Sequence, residues 1–387
     1  MKSDGLPAGT HCELAIIGAG IAGASVACFA SPFASVLLLE SEAHPAVHST
    51  GRSAAMFMES YGSPQVRAVT RASRPFFENP PPGFSATPLL APRGALYIAN
   101  AAQVDQAHAL HAALLAEGCP AQLLSTAQAL ALVPALNADA AVLAVLDPLA
   151  ADIDVNALHQ GYLRSARVSG AELRCNAEVT KAEACDNGGW WLQTSAGTVR
   201  AATVVNAAGA WADAVAQRAG VATIGLQPCR RSAFVFAAPA DMATAHWPCV
   251  APVDEGWYFK PEAGLLLGSP ANADPVPPHD VMPEEIDIAT GIANIEAATS
   301  LRIRRPRRSW AGLRSFVADG DLVSGYAPGH PGFWWQAALG GYGIQTSAAL
   351  GALAAARLVG RPRPDWAAAA DSVLHTLPPR PPQDPIK

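Results

Sequence analysis

Residues 14–17 form a short uninterrupted apolar run, the mark of a strand buried on both faces. A Gly-rich turn, a stretch of small residues over 22–30 and a second apolar run over 36–39 follow it. This order predicts a β-α-β opening. The pattern recurs at Thr203-Val204-Val205-Asn206-Ala207-Ala208-Gly209, where a strand runs into glycine and a helix is predicted over 211–219, stopping at Gly220. It recurs again at Gly340-Gly341-Tyr342-Gly343, ahead of an Ala-rich helix ending near Arg357 and Gly360. Three loop-to-helix junctions in one chain point to a single large ligand touched from several places.

Between these junctions the character changes. Tyr97, a helical run over 105–117 and an Ala/Leu segment up to Val145 make one insert. Residues 228–310 make another, with a predicted hairpin whose strands, 258–260 and 265–268, are joined by Pro261-Glu262-Ala263-Gly264. The expected division is a discontinuous dinucleotide domain (10–90, 150–226 and 310–375), a substrate domain (91–149 and 227–309), and a Pro-rich tail (376–387) expected to be disordered.

Composition narrows the partners. The chain has 387 residues, half of them hydrophobic, and a formal net charge of -6, so it can fill two cores and carries no overall basic field for nucleic acid. Five arginines within 302–308 interrupt this balance, but without interleaved aromatic residues they read as a solvated face. Seven cysteines, with no Cys-x-x-Cys pair, predict neither a disulfide framework nor a zinc ribbon and fit a reducing cytoplasm. No apolar run approaches the ~18 residues of a spanning helix, so membrane contact is expected to be peripheral at most. No metal-ligand spacing is present; His108 and His111 lack a third ligand nearby.

The first junction carries chemistry. Gly18-Ala19-Gly20-Ile21-Ala22-Gly23 follows a strand and opens a helix: Gly18 for the tight turn, Gly20 for close approach to a pyrophosphate, Gly23 for helix-strand packing. Glu40, 22 residues after Gly18 and followed by Ser41, is placed to accept from ribose hydroxyls. His48-Ser49-Thr50-Gly51-Arg52-Ser53-Ala54-Ala55 supplies hydroxyls, small side chains and an arginine to a loop that a flavin dinucleotide needs and a nicotinamide enzyme does not. Gly340 to Gly343, with Ile344, Gln345 and Thr346, aims a helix N-terminus at an anion, and a reduced flavin is one. FAD is the expected cofactor.

These strings, with residues 61–67, 152–164, 226–234, 268–275 and 310–321, resemble the D-amino acid oxidase superfamily of flavoenzymes, most closely the bacterial FAD-dependent D-arginine dehydrogenases. The resemblance runs nearly end to end. It implies non-covalently bound FAD and an α/β fold: a Rossmann-like, glutathione-reductase-type FAD domain beside an α+β substrate domain built on an antiparallel sheet. It also adds Met56, Val179, Ala207, Gly209, Trp211 and Gly312 to the expected cofactor contacts. Arg314, flanked by apolar residues and Gly and so costly to bury without an anionic partner, and Arg231, at the start of a strand entering the second insert, match arginines that hold the substrate carboxylate. Tyr258 matches a tyrosine that adds a hydrogen bond, and Tyr61 one that closes over the flavin face, with Gly62 and Pro64 as hinge residues. The implied reaction is oxidative deamination of a D-amino acid by hydride transfer, with an unidentified electron acceptor, a quinone or carrier among the candidates.

The likeness breaks at Ala95, where the D-arginine dehydrogenases carry an acid for the substrate's cationic side chain. Met56 and Met58 replace polar residues, and Cys249, Ala251 and Gly341 complete an apolar lining. Neutral or hydrophobic side chains are therefore expected, with Glu59 the one acid that could swing inward. The rival readings are a superfamily member acting on an N-methyl or cyclic amino acid or a 2-hydroxy acid, and a flavin-binding protein with little turnover.

Overall fold

A computed structural model describes residues 6, 7 and 9–374. The opening forms as the pattern predicts, with strand Thr10–Ile17, helix Ile21–Ala30 and strand Val36–Leu39. Thr10–Ile17 lies at the centre of an eight-stranded sheet. Val36–Leu39 pairs with it in parallel on one side and Gly197–Asn206 in parallel on the other; Glu172–Arg174 and Phe333–Ala337 extend the parallel core outward. Strands flanking the first strand on opposite sides open a crevice at their carboxyl ends, and the first glycine turn stands there.

Helix Ile21–Ala30 is buried almost all round because it is built of small residues. It packs against helices Val155–Val168 and Gly343–Leu358. A Cβ on Gly351 would stand 2.7 Å from the Ser25 side chain, so glycine lets these backbones approach.

The second layer is a nine-stranded, largely antiparallel sheet that takes in Gln227–Ala237, Cys249–Pro252, Tyr258–Glu262, Leu265–Ser269, Ala95–Ala99 and Leu143–Asp147. Its hairpin is tighter than expected. Strand pairing continues to Glu262 and Leu265, leaving a two-residue turn of Ala263 and Gly264, both at positive φ. Residues 310–316, expected with the dinucleotide segments, belong to strand Arg308–Phe316, which pairs with Gln227–Ala237 along its length. That pairing sets Arg314 opposite Cys229 and Gly312 opposite Arg231. A small three-stranded sheet joins Met56–Phe57 and Leu90–Pro92 through Ala151–Ile153. The expected tail, 376–387, lies outside the described residues.

Candidate active site

The glycine turn is held by sterics. Gly18 has φ of +100°, and a Cβ there would lie 2.4 Å from the carbonyl oxygen of Ala207. A Cβ on Gly23 would lie 1.9 Å from the Gly18 carbonyl oxygen. Neither position admits a side chain. The Ala19 amide donates to Glu40 Oε2 at 2.9 Å, and the Ile21 amide to Thr50 Oγ1 at 3.0 Å. The Glu42 amide donates to Glu40 Oε1. Glu40 therefore joins the turn to the second strand while lining the adjoining cavity.

Three cavities run together from this turn. The first, about 350 Å³, is lined by Gly18, Glu40, Ser41, Val179 and Trp211. It shares Gly20, Ser49, Thr50, Ala207 and Gly209 with a middle cavity of about 150 Å³, into which Ile21, Ala22, Arg52, Gly312, Gly340, Gly343 and Ile344 also face. The middle cavity shares Ser53, Ala54, Arg231, Tyr258, Arg314 and Gly341 with an inner one of about 130 Å³, walled by Ala55, Met56, Met58, Tyr61, Cys249 and Ala251. An elongated crevice with a glycine turn and a helix N-terminus along it suits a dinucleotide, and the apolar chamber at its end suits a small molecule.

The two arginines meet where the middle and inner cavities join. Arg314 Nη1 donates to Tyr61 Oη at 3.1 Å. Among the described residues neither Arg231 nor Arg314 forms an ion pair, and Arg231 Nε is buried without a partner. Glu255 lines the same inner cavity but forms no ion pair with either arginine among the described residues. Burial and the neighbouring charge of Arg314 push the Arg231 pKa down. Two partly buried guanidinium groups without an ion-pair partner, one with a buried unpartnered Nε, suit an anion. Gly341 makes room for them: a Cβ there would meet Arg314 Nη1 at 2.7 Å.

Several expected contacts are engaged elsewhere. The Arg52 guanidinium is turned to Asp280 and to the carbonyls of Val281, Ala311 and Val47, so it braces the loop instead of presenting charge to a pyrophosphate. Gln345 accepts from the Met58 amide and donates to Met58 O and Thr70, clamping the inner wall. Gly23, Tyr342 and Ala95 line none of the three cavities: Gly23 packs against the turn, Tyr342 packs its ring 5.0 Å from that of Tyr61, and Ala95 is buried beside Cys249 in the sheet. Glu59 is paired with Arg74 and cannot replace the missing acid. Arg230 is held by Asp274, Glu284 and Asp287.

Three groups had no signal in the sequence. His159, from helix Val155–Val168, is buried with Nε2 2.8 Å from the Ala19 carbonyl, so it carries its proton there and holds the turn; burial pushes its pKa down. Glu255, on the turn before Tyr258, has φ of +56° and lines the inner cavity, where desolvation pushes its carboxyl pKa up against the pull of Arg231 and Arg314. Lys260 is buried between Asp152 and Glu262, and Asp152 also pairs with Arg93, tying the small sheet to the large one. Each depends on residues far apart in the chain. Among the described residues no three metal-ligating side chains converge, and no helix is long and apolar enough to cross a membrane.

A glycine-turn dinucleotide crevice opening into an arginine-bearing chamber defines a flavin-dependent oxidoreductase. Residues 13–357 match the family model described as DAO, FAD dependent oxidoreductase, and the chain belongs to that family and uses FAD. Among solved structures it is similar to the L-α-glycerophosphate oxidase of Mycoplasma pneumoniae with FAD bound (TM-score 0.81, 19% identity, 92% of this chain and 97% of that one). It is also similar to glycine oxidase of Geobacillus kaustophilus (TM-score 0.79, 24% identity, 92% and 96%). Human mitochondrial dimethylglycine dehydrogenase is 30% identical over 138 residues, a match spanning 35% of this chain and only 16% of that protein.

Proposed function

We propose that the chain oxidises a D-amino acid with a neutral or hydrophobic side chain to the imino acid, which hydrolyses to the 2-oxo acid. The observation that carries this is the partly buried pair Arg231 and Arg314, neither of them ion-paired among the described residues, at the mouth of a largely apolar chamber. FAD, when bound, supplies the hydride acceptor. The glycine turn, Glu40, Ser49, Thr50 and the 340–344 junction are the residues that would hold it.

The remaining work is orientation. Arg314 and Arg231 take the α-carboxylate, and Tyr258, at the same junction, adds a hydroxyl contact. Tyr61, tethered to Arg314, fixes one guanidinium in plane. Met56, Met58, Cys249 and Ala251 exclude water and receive the side chain. The solved relatives named glycine oxidase and L-proline dehydrogenase support an amino-acid substrate; D configuration and the closeness to D-arginine dehydrogenases rest on the matched strings alone. Mixing the holoenzyme anaerobically with D and L enantiomers of leucine, methionine, phenylalanine, arginine and lysine tests the proposal by flavin bleaching. Faster bleaching by L enantiomers would overturn the stereochemistry, and none by any amino acid would overturn the substrate class.

Glu255 favours a second reading in which a cationic side chain is drawn toward its carboxylate. Preference for D-arginine or D-lysine, lost in Glu255→Gln while D-leucine oxidation persists, would establish it.

A further inference from the structure

Tyr97 lines the inner cavity, and behind it Ser60 and Asp147 form a buried polar chain that the reaction as described does not use. Tyr97, Ser60 and Asp147 are 2%, 4% and 0% exposed. Ser60 Oγ donates to Asp147 Oδ2 at 2.8 Å and lies 3.1 Å from Tyr97 Oη. Asp147 Oδ1 accepts from the Leu149 amide at 3.0 Å and from Cys119 Sγ at 3.5 Å. No cation pairs with Asp147 among the described residues, and three donors converge on it. Tyr97 lines the cavity beside Ala251.

The hydrogens in this chain have one consistent arrangement. A carboxylate can only accept, so the Ser60 hydrogen goes to Asp147. Ser60 Oγ must then accept, and the Tyr97 hydroxyl must donate to it. The Tyr97 oxygen is left with lone pairs and no hydrogen.

We propose that Asp147, acting through Ser60, sets Tyr97 as a hydrogen-bond acceptor facing the substrate side chain, so that among neutral side chains the enzyme selects those carrying an N–H or O–H donor. This rests on the amino-acid reading of the site. Asp147 and Ser60 are positioning residues and Tyr97 the specificity residue. Burial gives the arrangement its force, because an acceptor facing an acceptor in a water-poor chamber leaves both unsatisfied.

Asp147→Asn reverses the chain. The Leu149 amide still requires an oxygen at the Oδ1 position, which puts the new NH₂ group against Ser60. Ser60 then donates to Tyr97, and the phenol hydrogen is released into the cavity. Three carboxylates of one shape read this out: glutaramate, 5-oxohexanoate and 5-methylhexanoate, with their homologues one carbon shorter. None has an α-amine to oxidise, so binding to the holoenzyme is followed by the flavin absorbance.

The native protein is expected to bind the amide about tenfold more tightly than the ketone. In Asp147→Asn the ketone gains about tenfold and the amide, free to turn its own carbonyl to the phenol, is unchanged. Ser60→Ala frees the phenol hydrogen while keeping the Asp147 carboxylate itself, which retains its Leu149 and Cys119 donors, and gives the same ketone gain. Tyr97→Phe removes the discrimination. An identical ketone-to-amide ratio in the native protein and in the flavin-loaded variants would overturn the proposal. If none of the carboxylates binds, the arginine anchor is what fails. The ¹³Cζ signal of labelled tyrosine, assigned with Tyr97→Phe, then still decides: a shift in Asp147→Asn supports the reversal, and an unmoved signal overturns it.

Discussion

A methyl group at position 341 measures the carboxylate anchor directly. A Cβ there would stand 2.7 Å from Arg314 Nη1, 2.9 Å from Cζ and 3.1 Å from Nε, with no other atom among its three nearest neighbours. The 341 backbone has no positive φ, so alanine itself is tolerated and the strain falls on the guanidinium. To reach ordinary contact, the group must retreat by roughly 0.7 Å, which disturbs its 3.1 Å bond to Tyr61. Misplacing a positioning group by about 1 Å can cost on the order of 100-fold, so Gly341→Ala should lower kcat/KM for the best D-amino acid by about 30-fold or more. The loss should fall mainly on KM, since a carboxylate is held alike in ground and transition states. Steady-state assays with an artificial acceptor, flavin content from the visible spectrum and a thermal melt separate the cases. Full FAD occupancy and an unchanged melt with raised KM confirm the anchor. A kcat/KM within about threefold of native would refute the reasoning, and loss of FAD would assign Gly341 to the cofactor.

Gly23→Ala should abolish FAD binding, because its Cβ would fall 1.9 Å from a backbone oxygen that cannot move without opening the turn; visible absorbance of the purified protein checks this. His159 is held neutral by burial, with its folded pKa below the unfolded value of about 6.5. The unfolded chain therefore binds the extra proton first as pH falls, so the stability this group contributes is present above pH ~6.5 and is lost below it. Melts from pH 8 to 5 should show this fall, and His159→Gln should flatten it. Asp152→Ala takes from Arg93 its only carboxylate among the described residues and leaves Lys260 with Glu262 alone, and should cost about 2 kcal/mol, whereas Lys260→Met, which leaves Asp152 paired with Arg93, should cost less; denaturant titration of the pair tests that asymmetry.

The dinucleotide end was legible because its determinants are local. Strand, glycine turn and helix are consecutive, and the glycines are required by clashes within one β-α-β unit and with Ala207 on the neighbouring strand. Arg314 also stood out, since its apolar and glycine neighbours make a guanidinium conspicuous in a one-dimensional pattern, while Arg231 was marked by the resemblance. What each polar group does was decided only by packing across long separations. Arg52 resembles a phosphate ligand in its loop, but Asp280 lies 228 residues away in the chain and takes its charge. Glu59 resembles a replacement acid until helix Pro64–Glu78 brings Arg74 against it. Ser60, Tyr97 and Asp147 carry no pattern at all, because hydrogen bonds between a loop and two strands leave no period in the chain. The sequence by itself pointed to the β-α-β dinucleotide unit and the cofactor, since those rest on steric and hydrophobic rules over short stretches, and the rest of the fold class came from the resemblance to known flavoenzymes. Only the tertiary structure decided which charges are already paired and which remain for a substrate, because pairing depends on distances that no spacing along the chain encodes.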